Sequence, residues 1–253
     1  MILLLGGTRE AREVACCLQQ QGKAILFSSA TELGLEILGA AGAGIELRAG
    51  SLNADQIAEL LQQRRVKLVL DCTHPFSADI SRNAMKACQK RSVRYLRLER
   101  PATSGNYSGL IRARDFVEAA ERAAEIEGSI MLTIGVKHLP EFLSRRRPGQ
   151  QLIARVLPRI ESIQRCQQLG FAPSQLIAAQ GSFSVEFNRA LFSEYRVTAV
   201  VAKDSGLNGG TEAKLEAARQ LGIKFILVER PNLEYFEVFR SVEELVEVAL
   251  KEI

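Results

Sequence analysis

Ile2-Leu3-Leu4-Leu5 runs straight into Gly6-Gly7, and a helix-forming stretch begins at once, with Val14, Ala15 and Leu18 on one side of it. Four apolar residues with no polar alternation describe a strand buried on both faces, the kind found in parallel sheets covered by helices. Two glycines let the backbone turn without a Cβ clash. The order strand, glycine turn, helix aims backbone N–H groups and the positive end of a helix dipole at one point, which suits phosphate. A dinucleotide fingerprint wants glycine at positions 6, 8 and 11. Thr8 and Ala11 stand at the last two, so a nucleotide site and a plain tight turn both fit this stretch. Thr8 could give its hydroxyl to a phosphate oxygen.

The same alternation continues along the chain. Strands are expected near 24–27, 45–48, 68–71 and 93–98, with helices near 32–41, 55–64 and 77–90 between them. Asn53 precedes the second of these helices as a good N-cap type. Residues 101–111 are rich in Gly, Ser and Asn and are expected to be a linker. Strands and helices then resume, with strands near 129–134, 152–157, 176–179, 198–202 and 224–228. Repeated βα units with short loops give α/β architecture: two Rossmann-like, doubly wound parallel-sheet domains, 1–101 and 102–253, with a cleft between them. The first is expected to bind nucleotide and the second substrate.

Two related halves are also written into the residues. At an offset of 130 residues, Val93, Arg94 and Tyr95 fall on Ile223, Lys224 and Phe225, and Glu99-Arg100-Pro101 falls on Glu229-Arg230-Pro231 with no gap. Periodicity alone does not explain a shared Glu-Arg-Pro. The same offset sets Thr73-His74 opposite Lys203-Asp204, each just after an apolar strand.

A net charge of +4 is too mild for a nucleic-acid binder and suits an anionic small molecule held by local arginines. The five cysteines show no Cys-x-x-Cys spacing, so reduced thiols are expected rather than a zinc site or disulfide framework. With no signal-like segment and no run long enough to span a bilayer, a cytoplasmic protein is expected.

Ligands of such sheets sit beyond the carboxyl ends of the strands. That rule selects Gly6, Gly7, Thr8 and Arg9; Ser28 and Ser29; Thr73 and His74; and the segment 203–210, Lys203-Asp204-Ser205-Gly206-Leu207-Asn208-Gly209-Gly210. No acid stands at Ser28-Ser29, where an NAD site would place one for the ribose; hydroxyls there are compatible with a 2′-phosphate. His74 suits phosphate contact, proton transfer or loop fixing. His138, after Lys137, reads as an exposed residue with no special role. No Tyr-x-x-x-Lys pair and no Gly-x-Ser-x-Gly elbow is present. A nucleotide-sensing module without chemistry, and an NAD(P)-dependent enzyme acting on sugar nucleotides, remain alternatives.

Taken in order, several stretches resemble the precorrin-6A reductase family of cobalamin (vitamin B12) biosynthesis. They are Leu4-Leu5-Gly6-Gly7-Thr8 with Glu10-Ala11-Arg12, Asp71-Cys72-Thr73-His74-Pro75-Phe76, Leu98-Glu99-Arg100-Pro101, Gln180-Gly181-Ser182-Phe183-Ser184, Lys203-Asp204-Ser205-Gly206 and Glu229-Arg230-Pro231. The resemblance implies a reductase that uses NADPH or NADH to saturate the C18=C19 bond of precorrin-6A or its cobalt form, an anionic tetrapyrrole. It implies Lys203 and Ser205 as catalytic residues, with Asp204 and Gly206 beside the substrate. It implies Gly6, Gly7, Thr8, Arg9, Ser28, Ser29, Gly50, Thr73 and His74 around the cofactor. Arg97, Arg100, Arg155 and Arg230 would meet the substrate's carboxylates; no metal, nucleic acid or membrane is implied. Two departures stand out: the family's Ser-x-Ala-Gly-Arg is Ser28-Ser29-Ala30-Thr31-Glu32 here, and a Gly-Gly pair is Ala49-Gly50.

Overall fold

The computed structural model describes residues 1–252 except 37, 207 and 208, and gives no side-chain environment for 33, 40 and 41. The chain divides into two compact units, Met1–Pro101 with Asn232–Ile253, and Ala102–Pro231.

In the first unit the strands are β1 (Ile2–Leu5), β2 (Ile25–Ser29), β3 (Glu46–Ala49), β4 (Leu68–Asp71) and β5 (Arg94–Leu98), joined by α1 (Arg9–Gln20), α2 (Glu32–Glu36), α3 (Ala54–Gln63) and α4 (Ala78–Arg91). Every pairing is parallel, in the order β12-β5-β4-β1-β2-β3, where β12 is Val238–Phe239. Because successive strand residues point to opposite faces, Ile2 and Leu4 join Val14, Leu18, Phe27 and Leu245 in one core layer. Leu3 and Leu5 join Ile57, Leu61, Ala84 and Tyr95 in the other. This is why β1 reads as an uninterrupted apolar run. Asn53 caps α3 and forms a reciprocal capping box with Gln56, each bond 2.9 Å.

The second unit contains β6 (Leu110–Ala113), α5 (Phe116–Ala124), β7 (Ser129–Thr133), α6 (Leu139–Leu143), β8 (Gln151–Val156), α7 (Ile160–Gln168), β9 (Leu176–Ala178), α8 (Val185–Glu194), β10 (Val197–Lys203), α9 (Thr211–Leu221) and β11 (Lys224–Val228). Its sheet is again wholly parallel, in the order β6-β11-β10-β7-β8-β9. Met131, Ile153, Val200 and Phe225 pack with Phe192 of α8 and Leu215 and Ala218 of α9 in one core layer.

The two strand orders are the same when β1 and β7 are each counted first and β12 and β6 are each counted sixth: third, second, first, fourth, fifth, sixth. Shifting β5 by 130 residues lands on β11. In both units the sixth strand arrives after the chain has crossed: β6 follows Pro101, and β12 follows Pro231. The structure therefore corrects two expectations. Residues 101–111 are not only a linker, since β6 begins at Leu110 and completes the second sheet. Residues 232–253 belong to the first unit rather than to 102–253, because β12 pairs with β5 and α10 (Val242–Lys251) buries Leu245 and Ala249 against the α1 layer. Arg94 ties the returning segment down through Glu237 at 2.6 Å and through Glu252. The helix expected over 32–41 is shorter: α2 ends at Glu36, a 3-10 turn spans Gly39–Gly42, and Ile37 lies outside the described residues.

Candidate active site

In a sheet of this order the crevice lies where the strand order reverses, between the first and fourth strands. In the first unit that point is the carboxyl ends of β1 and β4, and a recess opens there, lined by Thr8, Glu10, Cys72, Thr73, Pro75, Leu98 and Arg100. Gly6 is required by packing, since a Cβ there would run into the Phe27 ring; Gly7 has φ +114°, a conformation that favours glycine. The turn delivers the N-terminus of α1 to the recess.

Thr8 caps that helix, accepting from Ala11 N at 3.2 Å, and donates its proton to Cys72 O at 2.8 Å. The hydroxyl thus clamps the β1 turn to the β4 turn, which corrects the expectation that it donates to phosphate. Arg9 points outward, its side chain 75% exposed and paired with Glu13 at 3.2 Å. Ser28 and Ser29 are buried at the end of β2, and Ser29 O accepts from Gly50 N at 2.9 Å. Arg48, which the sequence reading passed over, lies in register with Ser28 on the adjacent strand. It is half-buried, spends one N–H on Gly50 O at 2.8 Å, and has no carboxylate within 4 Å among the described residues.

Asp71 anchors the loop after β4. Its carboxylate receives the Thr73 N–H at 3.0 Å, the Thr73 hydroxyl at 2.7 Å, Ser81 and Tyr95 hydroxyls at 2.6 Å each, and Arg97 Nη1 at 2.7 Å. Burial alone would raise this acid's pKa, but the Arg97 guanidinium and the three hydroxyls outweigh it and hold the group below the usual carboxylate range. Arg97 itself is 1% exposed, pairs also with Glu99 at 2.8 Å, and lies 5.1 Å from the Tyr235 ring centre. With its guanidinium committed inside the unit, Arg97 is a structural keystone, and the expectation that it meets substrate is corrected. Arg100 lines the recess with the cofactor candidates and pairs with Glu10 at 3.0 Å. His74 accepts the Phe76 N–H on Nδ1 at 3.2 Å, which leaves the proton of the neutral ring on Nε2.

The corresponding place in the second unit is the carboxyl ends of β7 and β10. Lys203 ends β10, its Nζ 5.6 Å from the Phe116 ring centre. Burial, and then the neighbouring Lys137, push its pKa down to about 8. Phe116 also stacks on His138, ring centres 3.7 Å apart, and His138 Nδ1 meets Glu141 at 2.9 Å. His138 is therefore half-buried in this wall and not the exposed residue expected.

Asp204 is 4% exposed and accepts on Oδ1 from Thr103 N at 3.0 Å, Thr103 Oγ1 at 2.7 Å, Gly206 N at 3.3 Å and Arg230 Nη2 at 3.5 Å. It is the scaffold of its loop, holding the Gly206 N–H in place, and Arg230 is turned onto the same acid. Thr211 Oγ1 lies 2.8 Å from Lys203 O and 2.8 Å from the Ser205 hydroxyl, which also reaches Gly209 O at 3.3 Å. Ser205 thus follows Lys203 with its hydroxyl in this loop network, its N–H 2.9 Å from Lys203 O. Leu207 and Asn208 of this loop lie outside the described residues.

Arg155 keeps the role of a ligand-facing candidate. It ends β8 one residue before Val156, half-buried, with Nη1 on Asn188 at 2.9 Å and its guanidinium 5.3 Å from the Phe183 ring centre. Lys214 in the first turns of α9 was missed by the sequence reading. It is 7% exposed, and burial, then Arg155 and Lys203, push its pKa down to about 7. Among the described residues no group of three or more His, Cys, Asp or Glu is placed to hold a metal, the cysteines are all unbridged, and no helix is long and apolar enough to cross a membrane.

The model of one protein family, precorrin-6x reductase CbiJ/CobK, matches residues 1–249. The chain belongs to this family. It is 37% identical over 249 residues to the cobalt-precorrin-6A reductase of Priestia megaterium, covering 97% of this chain and 96% of that protein. To the cobalt-precorrin-6A reductase of Methanothermobacter thermautotrophicus it is 38% identical over 256 residues, covering 99% and 83%. A solved CobK precorrin-6A reductase superposes with a TM-score of 0.82 at 29% identity, covering 99% of this chain and 96% of that one. A CbiJ/CobK reductase acts on a carbon–carbon double bond in cobalamin biosynthesis, and its paired parallel sheets are the ones described above.

Proposed function

We propose that this protein reduces precorrin-6A, or its cobalt form, at C18=C19, with NADPH as the reductant, the first unit holding nucleotide and the second holding macrocycle. The observation that carries the reading is the glycine turn into α1 at the β1–β4 switch point, in a chain of a reductase family. The residues there fit a nicotinamide nucleotide. Gly6 and Gly7 let backbone approach a pyrophosphate, the N–H groups of the first turn of α1 face it, and His74 Nε2–H is a further donor. Ser28, Ser29 and Arg48, with no acid beside them, suit a 2′-phosphate better than a bare ribose. The bound reduced nicotinamide supplies hydride to one carbon of the double bond.

The chain's own part is to orient the macrocycle and hold a proton. Lys203 holds one at Nζ, with a pKa lowered to about 8, close to working pH, where an acid both carries its proton and releases it readily. Ser205 and Thr211 fix the backbone on either side of it. Asp204 and Arg230 fix the loop beyond.

The test is turnover. Purified protein given precorrin-6A or its cobalt form, with NADPH and with NADH, is expected to yield a product two hydrogens heavier while nucleotide is consumed. No mass gain with either substrate and either nucleotide overturns the reading. Faster turnover with NADH than NADPH overturns the choice of cofactor alone.

A further inference from the structure

Lys214 is buried in a way its position does not explain. It is 7% exposed on α9, and among the described residues its side chain has no hydrogen bond and no carboxylate within 4 Å. Arg155 likewise has no carboxylate within that distance among the described residues. Arg155 and Lys203 are near enough to Lys214 to make its charge harder to keep. A buried ammonium without a counter-charge is costly, and packing alone would be served better by a methionine.

Asn188 and Phe183 hold the Arg155 charge in place without neutralising it. Asn188, 1% exposed, accepts from Arg155 at 2.9 Å and gives its own amide to Phe183 O at 3.1 Å and Ser184 O at 2.7 Å. Phe183 lies beneath the guanidinium and stacks on Phe187 at 4.4 Å. Gly210, at the start of α9, sits where a Cβ would contact Ser182 at 3.4 Å. So Phe183 and Ser184, the end of the Gln180-Gly181-Ser182-Phe183-Ser184 motif, frame Arg155 and Asn188.

We propose that Arg155 and Lys214, with Lys203 beside them, form a pocket for one carboxylate of the macrocycle, with Lys214 as a substrate-binding residue. The proposal rests on the reading of the second unit as the macrocycle's holder. The ligand supplies the negative charge that the fold withholds, and a carboxylate is chosen over a nucleotide phosphate because the first unit has its own phosphate turn. Bound anion favours the protonated form of both lysines, so binding also loads Lys203 with its proton.

The decisive experiment combines stability, kinetics and binding on K214M and R155Q in the full chain. Without ligand, K214M is expected to melt higher than wild type, because a buried unpaired charge is gone; a structural role for Lys214 would lower it. The KM for precorrin-6A is expected to rise about tenfold or more in either variant, as for loss of one charge-assisted bond, with a smaller change in kcat. NADPH affinity is expected to stay within about twofold. An unchanged KM in both variants, a lower melting temperature for K214M, or NADPH weakened instead of precorrin-6A overturns the proposal. Should wild type fail to reduce precorrin-6A, the function falls but the pocket is still tested: uroporphyrin, an octacarboxylate tetrapyrrole, is titrated by absorbance. Equal binding to wild type and K214M, or none to wild type, overturns the pocket.

Discussion

Each unit keeps a buried aspartate at the end of its fourth strand or one residue beyond, Asp71 in one and Asp204 in the other. Each aspartate gathers a threonine and an arginine, Thr73 with Arg97 and Thr103 with Arg230. The scaffolds match, but the charge around them does not. At the first switch point cations are matched to acids: Arg97 to Asp71 and Glu99, Arg100 to Glu10. At the second, Arg155 is half-buried and Lys214 buried, with no carboxylate within 4 Å of either among the described residues. A paired buried charge fixes a loop and asks for nothing further. An uncompensated one is a standing cost that an anion removes. The same fold therefore makes a rigid cradle in one copy and an anion trap in the other.

The largest expected effect breaks the paired side. Asp71→Ala strands the buried Arg97 guanidinium and is expected to cost about 3–5 kcal/mol of unfolding free energy by urea titration. Asp204→Ala should cost less, because Arg230 is 3.5 Å away and 14% exposed. The pH dependence has a definite sign. Asp71 has a folded pKa held below its unfolded value, so its stabilisation is full above the ordinary carboxylate range and is lost as pH falls through the folded value. Equal losses at the two aspartates, or no steepening of acid unfolding in wild type relative to Asp71→Ala, would erase the distinction between the two scaffolds.

Next in size is the chemistry. Lys203→Met is expected to lower kcat about 10²-fold or more while leaving NADPH affinity unchanged. Free-enzyme Lys203 and Lys214 have pKa values near 8 and 7, so kcat/KM should fall as pH rises through that range, when the ammonium groups are lost. The unliganded fold should move the other way. Lys214 titrates lower in the folded state than in the unfolded chain, so the unfolded chain binds more protons above about 7, and stability rises with pH up to the ordinary lysine value near ~10.4. A flat kcat/KM profile over this range would remove the anion trap from the reaction.

Much of this was legible in the residues, and the failures have a common cause. The strands read as uninterrupted apolar runs because both faces are covered, and the Glu-Arg-Pro repeat falls where the chain leaves each unit, at Pro101 and Pro231. What escaped was set by distant partners. β6 and β12 are short edge strands whose pairing lies more than a hundred residues away, so no local pattern marks them. Arg97 looked like a strand-end ligand because nothing near it in sequence says that Asp71 waits across the sheet. Lys214 looked like an ordinary helix lysine, since only tertiary packing buries it. Arg48 lies 20 residues past Ser28 in the chain, and only register brings it from β3 alongside.

Arg48 also gives the smallest and sharpest test of the comparison. If an unanswered cation marks an anion site, the first unit should obey the rule too, and Arg48 is half-buried with no carboxylate within 4 Å among the described residues. It stands in register with Ser28, where a nucleotide-binding sheet of this order receives the adenosine ribose. Arg48→Ala should therefore raise the KM for NADPH about tenfold, the worth of one charge-assisted contact of about 1.4 kcal/mol, and leave the KM for NADH within about twofold. Loss of affinity for both nucleotides alike would mean that Arg48 merely shapes the Gly50 turn through its bond to that carbonyl. Unanswered positive charge would then mark a ligand in the second unit only.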